Sequence, residues 1–212
     1  FVPYKNGVVC AKMNHMSYID GTGTVVWEID TAIVDPILKV DGNYILIAEK
    51  GRNKICLYID NKLQYDVDDP DTVMSAELSS NGDVVVVTDK SSYRGGISVY
   101  NKSGEQIFSW ASGSDAVICA DISAASRSVA VALLNSDVTA KTTVQLFNVN
   151  ETESYAKIEM PDTVVYELQF VGDKVNAFGD NRVTGISSSG KIVYDNDFSN
   201  VQLTHSAIDS NG

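Results

Sequence analysis

The sequence predicts an all-β fold: a β-propeller of four-stranded antiparallel blades, with about five blades present. Three observations carry this expectation. A turn signature recurs about every 40 residues. The segment before each recurrence reads strand, tight turn, strand. No segment of ten or more residues places apolar side chains at helical spacing. The signature is Asp, Asn or Ser, then Gly three residues later, then an aromatic four after that, in 18-YIDGTGTVVW-27, 99-VYNKSGEQIF-108 and 185-GISSSGKIVY-194. Looser copies lie at 57-LYIDNKLQY-65 and 146-LFNVNETESY-155. The turn openers Asp20, Asp60, Asn101, Asn148 and Ser187 stand 40, 41, 47 and 39 residues apart. That matches the period of roughly 40–50 residues of four-stranded propeller blades.

Each element has a local cause. The opener's side chain can accept a backbone N–H two residues on, and glycine at the fourth position adopts the left-handed conformation that closes the hairpin. The two glycine-free copies must therefore turn differently. Val25, Trp27 and Ile29 alternate as a half-covered strand should. Phe108 and Tyr194 take the Trp27 position, where a large ring fills the space between sheets. Ahead of each hairpin, 38-LKVDGNYILIA-48, 76-AELSSNGDVVVV-87, 120-ADISAASRSVAVA-132 and 168-LQFVGDKVNAF-178 supply an inner strand pair. Their second strands are nearly continuous apolar runs, as expected when both faces are covered. The blades are expected at about 1–30, 36–68, 73–110, 117–160 and 164–197. Asn6-Gly7 is expected as the first turn of blade one. A strand over 201–208 either closes a five-bladed ring or begins a sixth blade of a larger propeller.

Composition bounds the function. Net charge is −12 and the pI about 4.4. Such an excess repels phosphate backbones, so nucleic acid is not expected as a partner. No apolar run approaches the roughly 18 residues of a membrane span, so this segment is not expected to insert. The chain begins with Phe1 rather than Met, which leaves room for a signal or anchor ahead of it. Cys10, Cys56 and Cys119 lie in apolar runs without metal-ligand spacing and read as small buried side chains.

At 20–27 the Asp-x-x-Gly-x-x-x-Trp outline resembles the repeats of quinoprotein-type and WD-type propellers. The whole chain, starting with 1-FVPYKNGVV-9 and continuing through 27-WEIDTAIVDPILKVDGNYILIAEKG-51, is similar to an uncharacterised bacterial propeller family. The WD dipeptide and the Gly-His of the eukaryotic repeat are missing. The resemblance implies an extracytoplasmic domain tethered by one N-terminal helix that precedes this sequence. It implies no catalytic residue.

Signals of chemistry are few. GxSxG, HExxH and the P-loop are absent. His15 is expected in a loop and His205 in a strand, neither beside a catalytic partner. The run 66-DVDDPDT-72 does not follow the calcium-loop spacing and reads as a solvated connection. The strand-a starts Pro36, Val73, Val117 and Val164 are apolar, which argues against a metal-dependent hydrolase or lactonase with carboxylates on a central axis. A quinoprotein-like oxidoreductase is a further alternative, and no cofactor is expected. One asymmetry stands out. Seven of the sixteen basic residues fall in the expected b–c loops, 13–16, 49–54, 89–96, 134–143 and 178–182, whereas the neighbouring d–a loops are acidic. The expected function is a non-enzymatic scaffold binding a protein or an anionic cell-envelope polymer through these loops. Its candidate site residues are Arg52, Lys54, Tyr93, Arg94, Lys141 and Arg182; chance clustering of polar loops is the competing reading.

Overall fold

The runs become twenty strands in a computed structural model that describes residues 1–137, 139–198, 201 and 203. They form five four-stranded antiparallel sheets, each a meander of strands consecutive in sequence. The first holds β1 (Val2–Tyr4), β2 (Gly7–Lys12), β3 (His15–Ile19) and β4 (Val25–Asp30). The second holds β5 (Pro36–Asp41), β6 (Tyr44–Glu49), β7 (Lys54–Ile59) and β8 (Lys62–Asp68). The third holds β9 (Thr72–Leu78), β10 (Val84–Asp89), β11 (Gly96–Tyr100) and β12 (Gln106–Ala111). The fourth holds β13 (Ala116–Ile122), β14 (Ser128–Asn135), β15 (Lys141–Asn148) and β16 (Ser154–Pro161). The fifth holds β17 (Val165–Val171), β18 (Lys174–Gly179), β19 (Arg182–Ile186) and β20 (Ile192–Asp197). Among the described residues there is no helix.

The chain divides into two compact units. One comprises Phe1–Ser91 with Ser98–Ser109; the other comprises Ser92–Ile97 with the chain from Trp110 onward. In the first unit, Val9, Met16 and Tyr18 of the first sheet pack with Ile45, Ile47, Cys56 and Tyr58 of the second. The opposite face of the second sheet, Leu46, Ala48, Ile55 and Leu57, packs with Val73, Ala76, Val84, Val86 and Tyr100 of the third. Strand β6 thus sends odd residues to one core and even residues to the other, which is why its run is apolar without alternation. In the second unit, Ala130, Ala132, Val144, Leu146, Ile158 and Met160 meet Val165, Leu168, Val175, Ala177 and Ile186. Each fully buried Ile, Leu or Met contributes about 1.5–3 kcal/mol through area removed from water.

The three glycine-bearing turns share one geometry. The N–H of Gly23, Gly104 and Gly190 donates to the carbonyl of Asp20, Asn101 and Ser187, at 2.9 Å in every case. Their φ angles are +84°, +81° and +78°, which glycine adopts without strain. Asp20 Oδ1 accepts the N–H groups of Thr22 and Thr24 at 2.9 and 3.0 Å, and Asn101 Oδ1 accepts those of Ser103 and Glu105 at 2.9 and 3.1 Å. The other two copies differ, as their lack of glycine requires. Ile59 pairs directly with Lys62, so the second turn is Asp60-Asn61 alone, with Asp60 at φ +54°. The fourth turn opens on Asn148, whose carbonyl accepts Glu151 N–H at 2.9 Å, and then runs on to Ser154.

One expected turn is misplaced. Tyr4 pairs with Gly7, so Lys5 and Asn6 make the first turn, with Lys5 at φ +50°, and Gly7 opens β2. Gly7 is required for a steric reason: a Cβ there would lie 2.0 Å from the Ile19 carbonyl oxygen. The ring expected at the Trp27 position is buried at Phe108, but Tyr194 is 40% exposed on β20 and donates its hydroxyl to Asn176 Oδ1 at 2.7 Å. The expected strand over 201–208 lies for the most part outside the described residues, as does His205.

Candidate functional site

Three of the six candidate residues open a strand rather than sit in a loop: Lys54 begins β7, Lys141 β15 and Arg182 β19. Each meets carboxylates on the next strand of its own sheet. Lys54 Nζ lies 2.5 Å from Asp66 Oδ1 and 3.7 Å from Asp68 Oδ1. Arg182 lies 3.3 Å from Asp195 and 4.0 Å from Asp197, and Lys141 lies 3.2 Å from Glu159. His15 begins β3 and stands 3.6 Å from Asp30 and 3.7 Å from Glu28.

The register is the same in three sheets. His15, Lys54 and Arg182 sit directly opposite Asp30, Asp68 and Asp197, with Glu28, Asp66 and Asp195 two residues back on the partner strand. For Lys54 and Arg182 such cross-strand pairs of opposite charge contribute roughly 0.2–1 kcal/mol each. Of the seven basic residues in the expected loops, Lys54, Lys141 and Arg182 thus belong to cross-strand pairing inside their own sheets. Sequence reasoning missed it, although a short hairpin register joins each cation to its acids.

The other three candidates are exposed. Among the described residues Arg52 approaches only the buried carboxylate of Glu49, at 3.8 Å, and its side chain is 72% exposed. Tyr93 is 50% exposed. Arg94 is exposed, and among the described residues its guanidinium has no acidic partner. The main chain beneath these side chains is tied down. In the first unit Gly51 N–H donates to Val73 O at 2.8 Å and Val73 N–H to Arg52 O at 2.6 Å. In the second unit Arg94 N–H donates to Ser112 O at 2.8 Å and Val117 N–H to Arg94 O at 3.2 Å. A cleft of about 410 Å³ in the first unit is lined by Arg52, Asn53, Asp71, Thr72, Asp89 and Ser91, with Gly51 and Pro70.

The aspartate run beside that cleft is not a solvated connection throughout. Asp69 is 1% exposed. Its carboxylate accepts the Tyr100 hydroxyl at 2.7 Å and the Asp71 N–H at 2.8 Å. Asp66 and Asp68 face Lys54, and Asp71 lies 3.3 Å from Lys90. These acids organise the connection between two sheets. Among the described residues no group of three or more His, Cys, Asp or Glu side chains could hold a metal ion. No helix among them is long and apolar enough to cross a membrane.

No disulfide joins the three cysteines. Burial, and then the Asp66 charge, push the Cys56 thiol up to about 12. Because the thiolate is the reactive species, Cys56 is expected to resist a disulfide reagent near pH 8 in the folded protein and to react on unfolding. Stopped-flow labelling of a Cys10→Ser/Cys119→Ser variant, with and without denaturant, measures this directly. Equal rates in the two conditions would contradict the burial.

Residues 1–208 match the sequence profile of DUF5711. The chain belongs to this family of unknown function. Solved structures similar to this DUF5711 chain include Hsv2 from Kluyveromyces lactis, with a TM-score of 0.64 and 10% identity over 92% of this chain and 72% of that one. BamB from Moraxella catarrhalis gives 0.62 and 12%, over 92% and 63%. The C-terminal WD40 domain of Sif2 gives 0.63 and 14%, over 91% and 55%. These likenesses establish the DUF5711 fold as a β-propeller built from four-stranded sheets, the class that the repeat period predicts. The chain spans 63%, 65% and 55% of BamB, of the designed Ika8 protein and of the Sif2 domain. No curated protein matches it in sequence.

Proposed function

We propose that this protein is a non-enzymatic interaction scaffold in which the loop before β7, in the first unit, and the loop before β11, in the second, each offer an arginine to a protein partner with an acidic surface. The carrying observation is the contrast among the basic residues. Lys54, Lys141 and Arg182 are matched by carboxylates inside their own sheets, whereas Arg52 and Arg94 project from tied-down backbone with little or no compensation. A cation held on a rigid loop loses little freedom on binding, and arginine and tyrosine are favoured anchors of protein interfaces. Tyr93 supplies such an anchor beside Arg94. The fold supports this reading by analogy, since propellers such as WD40 domains present loops on a fixed frame. An extracytoplasmic position, tethered by a helix ahead of this sequence, rests on the family resemblance.

The test compares affinity capture by wild-type protein with capture by Arg52→Glu and Arg94→Glu variants from an extract of the source cells. At least one reversal should lower recovery of the main partner by about tenfold, through lost complementarity and new repulsion. Lys54→Glu is expected to act chiefly on stability instead. Undiminished recovery by both arginine variants would end the proposal.

A further inference from the structure

A second cleft lies wholly within the second unit. It has a volume of about 540 Å³ and runs between Trp110–Asp115 and the outer strands of the fourth sheet. That volume falls in the range of roughly 300–1,000 Å³ of small-molecule clefts. Its aromatic base is Trp110, tilted over buried Phe147 with ring centroids 5.0 Å apart. Gln145, Lys157, Glu153 and Asp115 surround it. Among the described residues the side chains of Gln145, Lys157 and Glu153 have no partner, while Asp115 is oriented by Asn135 Nδ2 at 2.8 Å.

The same face of the second sheet shows what packing alone would place here. By register, Gln145 between Val131 and Lys157 corresponds to Cys56 between Ile47 and Asp66, and Phe147 corresponds to Tyr58. In the first unit that face is closed by a buried cluster of Cys56, Tyr58 and Tyr18, with Trp27 packed against it. In the second unit the cysteine position holds an amide, and the space beside the tryptophan stays open. The bulge between Leu146 and Phe147 recurs between Leu57 and Tyr58, so the difference between the two faces lies in the side chains.

From this arrangement we infer that the cleft is a saccharide-binding subsite. A pyranose ring has an apolar C–H face that suits an indole, and a rim of hydroxyls that both donate and accept. Gln145 does both, Asp115 and Glu153 accept, and Lys157 donates. A phosphorylated or nucleotide ligand would meet the two carboxylates and a chain of net charge −12. Arg94 holds Ser112 of this cleft through its main chain alone, so the subsite does not depend on the Arg52 and Arg94 side chains.

The test is a titration with chitotriose, maltotriose and cellotriose at millimolar concentration, read by tryptophan fluorescence in a Trp27→Phe background, where Trp110 is the sole reporter. At least one sugar should shift the emission saturably. Gln145→Leu should weaken that binding by about tenfold, equivalent to about 1.4 kcal/mol. Because Trp110→Ala removes the reporter and a packing partner, calorimetry on Trp110→Phe provides the second arm and should also show weaker binding. No saturable shift with any of the three sugars, or binding unaltered in both variants, would overturn the assignment. Normal sugar binding by Arg52→Glu and Arg94→Glu would keep its outcome separate from that of the loop surface.

Discussion

A Gly7→Ala variant is expected to be about 3 kcal/mol less stable than the wild type, the upper part of the usual range for forcing atoms into a filled space. The new methyl group would sit 2.0 Å from Ile19 O, 2.7 Å from Asp20 Cα and 2.9 Å from Ile19 C. All three are main-chain atoms, so no side-chain rotation can relieve the clash. Strand β2 must move away from β3, and the pairing of Val8 with Ile19 goes with it. For a chain of this size the melting temperature should fall by about 6–12 °C. Gly113→Ala is the control, because nothing lies within 4 Å of a Cβ built there. A thermal melt of Gly7→Ala that overlays the wild type would show that β2 and β3 are not held at this spacing.

Asp69→Ala is expected to destabilise by about 3 kcal/mol, because it removes two hydrogen bonds to a charged acceptor and strands a buried hydroxyl. The stranded donor is Tyr100, 4% exposed, with the Asp71 N–H beside it. Tyr100→Phe removes only the donor and should cost about 2 kcal/mol. Denaturant midpoints at constant slope measure both effects. The pair also sets an alkaline limit. Burial, and then the Asp69 carboxylate, raise the Tyr100 phenol above its ordinary value of 10.0. The folded protein therefore keeps that proton at a pH where the unfolded chain has released it. This contribution is fully present below pH 10 and declines as pH rises above it. Tyr65, also raised by burial, acts in the same direction. Tyr100→Phe should flatten the decline. An equally steep loss in the variant would show that Tyr100 does not titrate across the transition.

The hairpins were legible because their cause is local. Asp20 with Gly23, Asn101 with Gly104 and Ser187 with Gly190 each close a turn through atoms three residues apart. The spacing of such turns then leaves little besides a propeller. The Asn6-Gly7 turn was misread because glycine there answers a neighbouring strand, not a backbone twist. That neighbour is Ile19, twelve residues on, and only the paired register reveals it. Likewise Lys54, Lys141 and Arg182 read as loop cations until pairing set them against Asp66, Glu159 and Asp195. The burial of Asp69 was illegible for the same reason, since Tyr100 lies 31 positions away. Trp110 carried no motif at all. Its role emerges only when Phe147 and Gln145 come alongside it from another sheet.

A strand that opens on a cation and faces acids on the very next strand carries its own counter-ion within a single hairpin. Lys54 with Asp66 and Asp68, and Arg182 with Asp195 and Asp197, each set one cation against two acids, so an extra copy brings its own counter-ions and a surplus negative charge with it. Duplication of a gene segment can then lengthen the array without leaving a new cation unmatched, and each such copy deepens the excess of twelve negative charges.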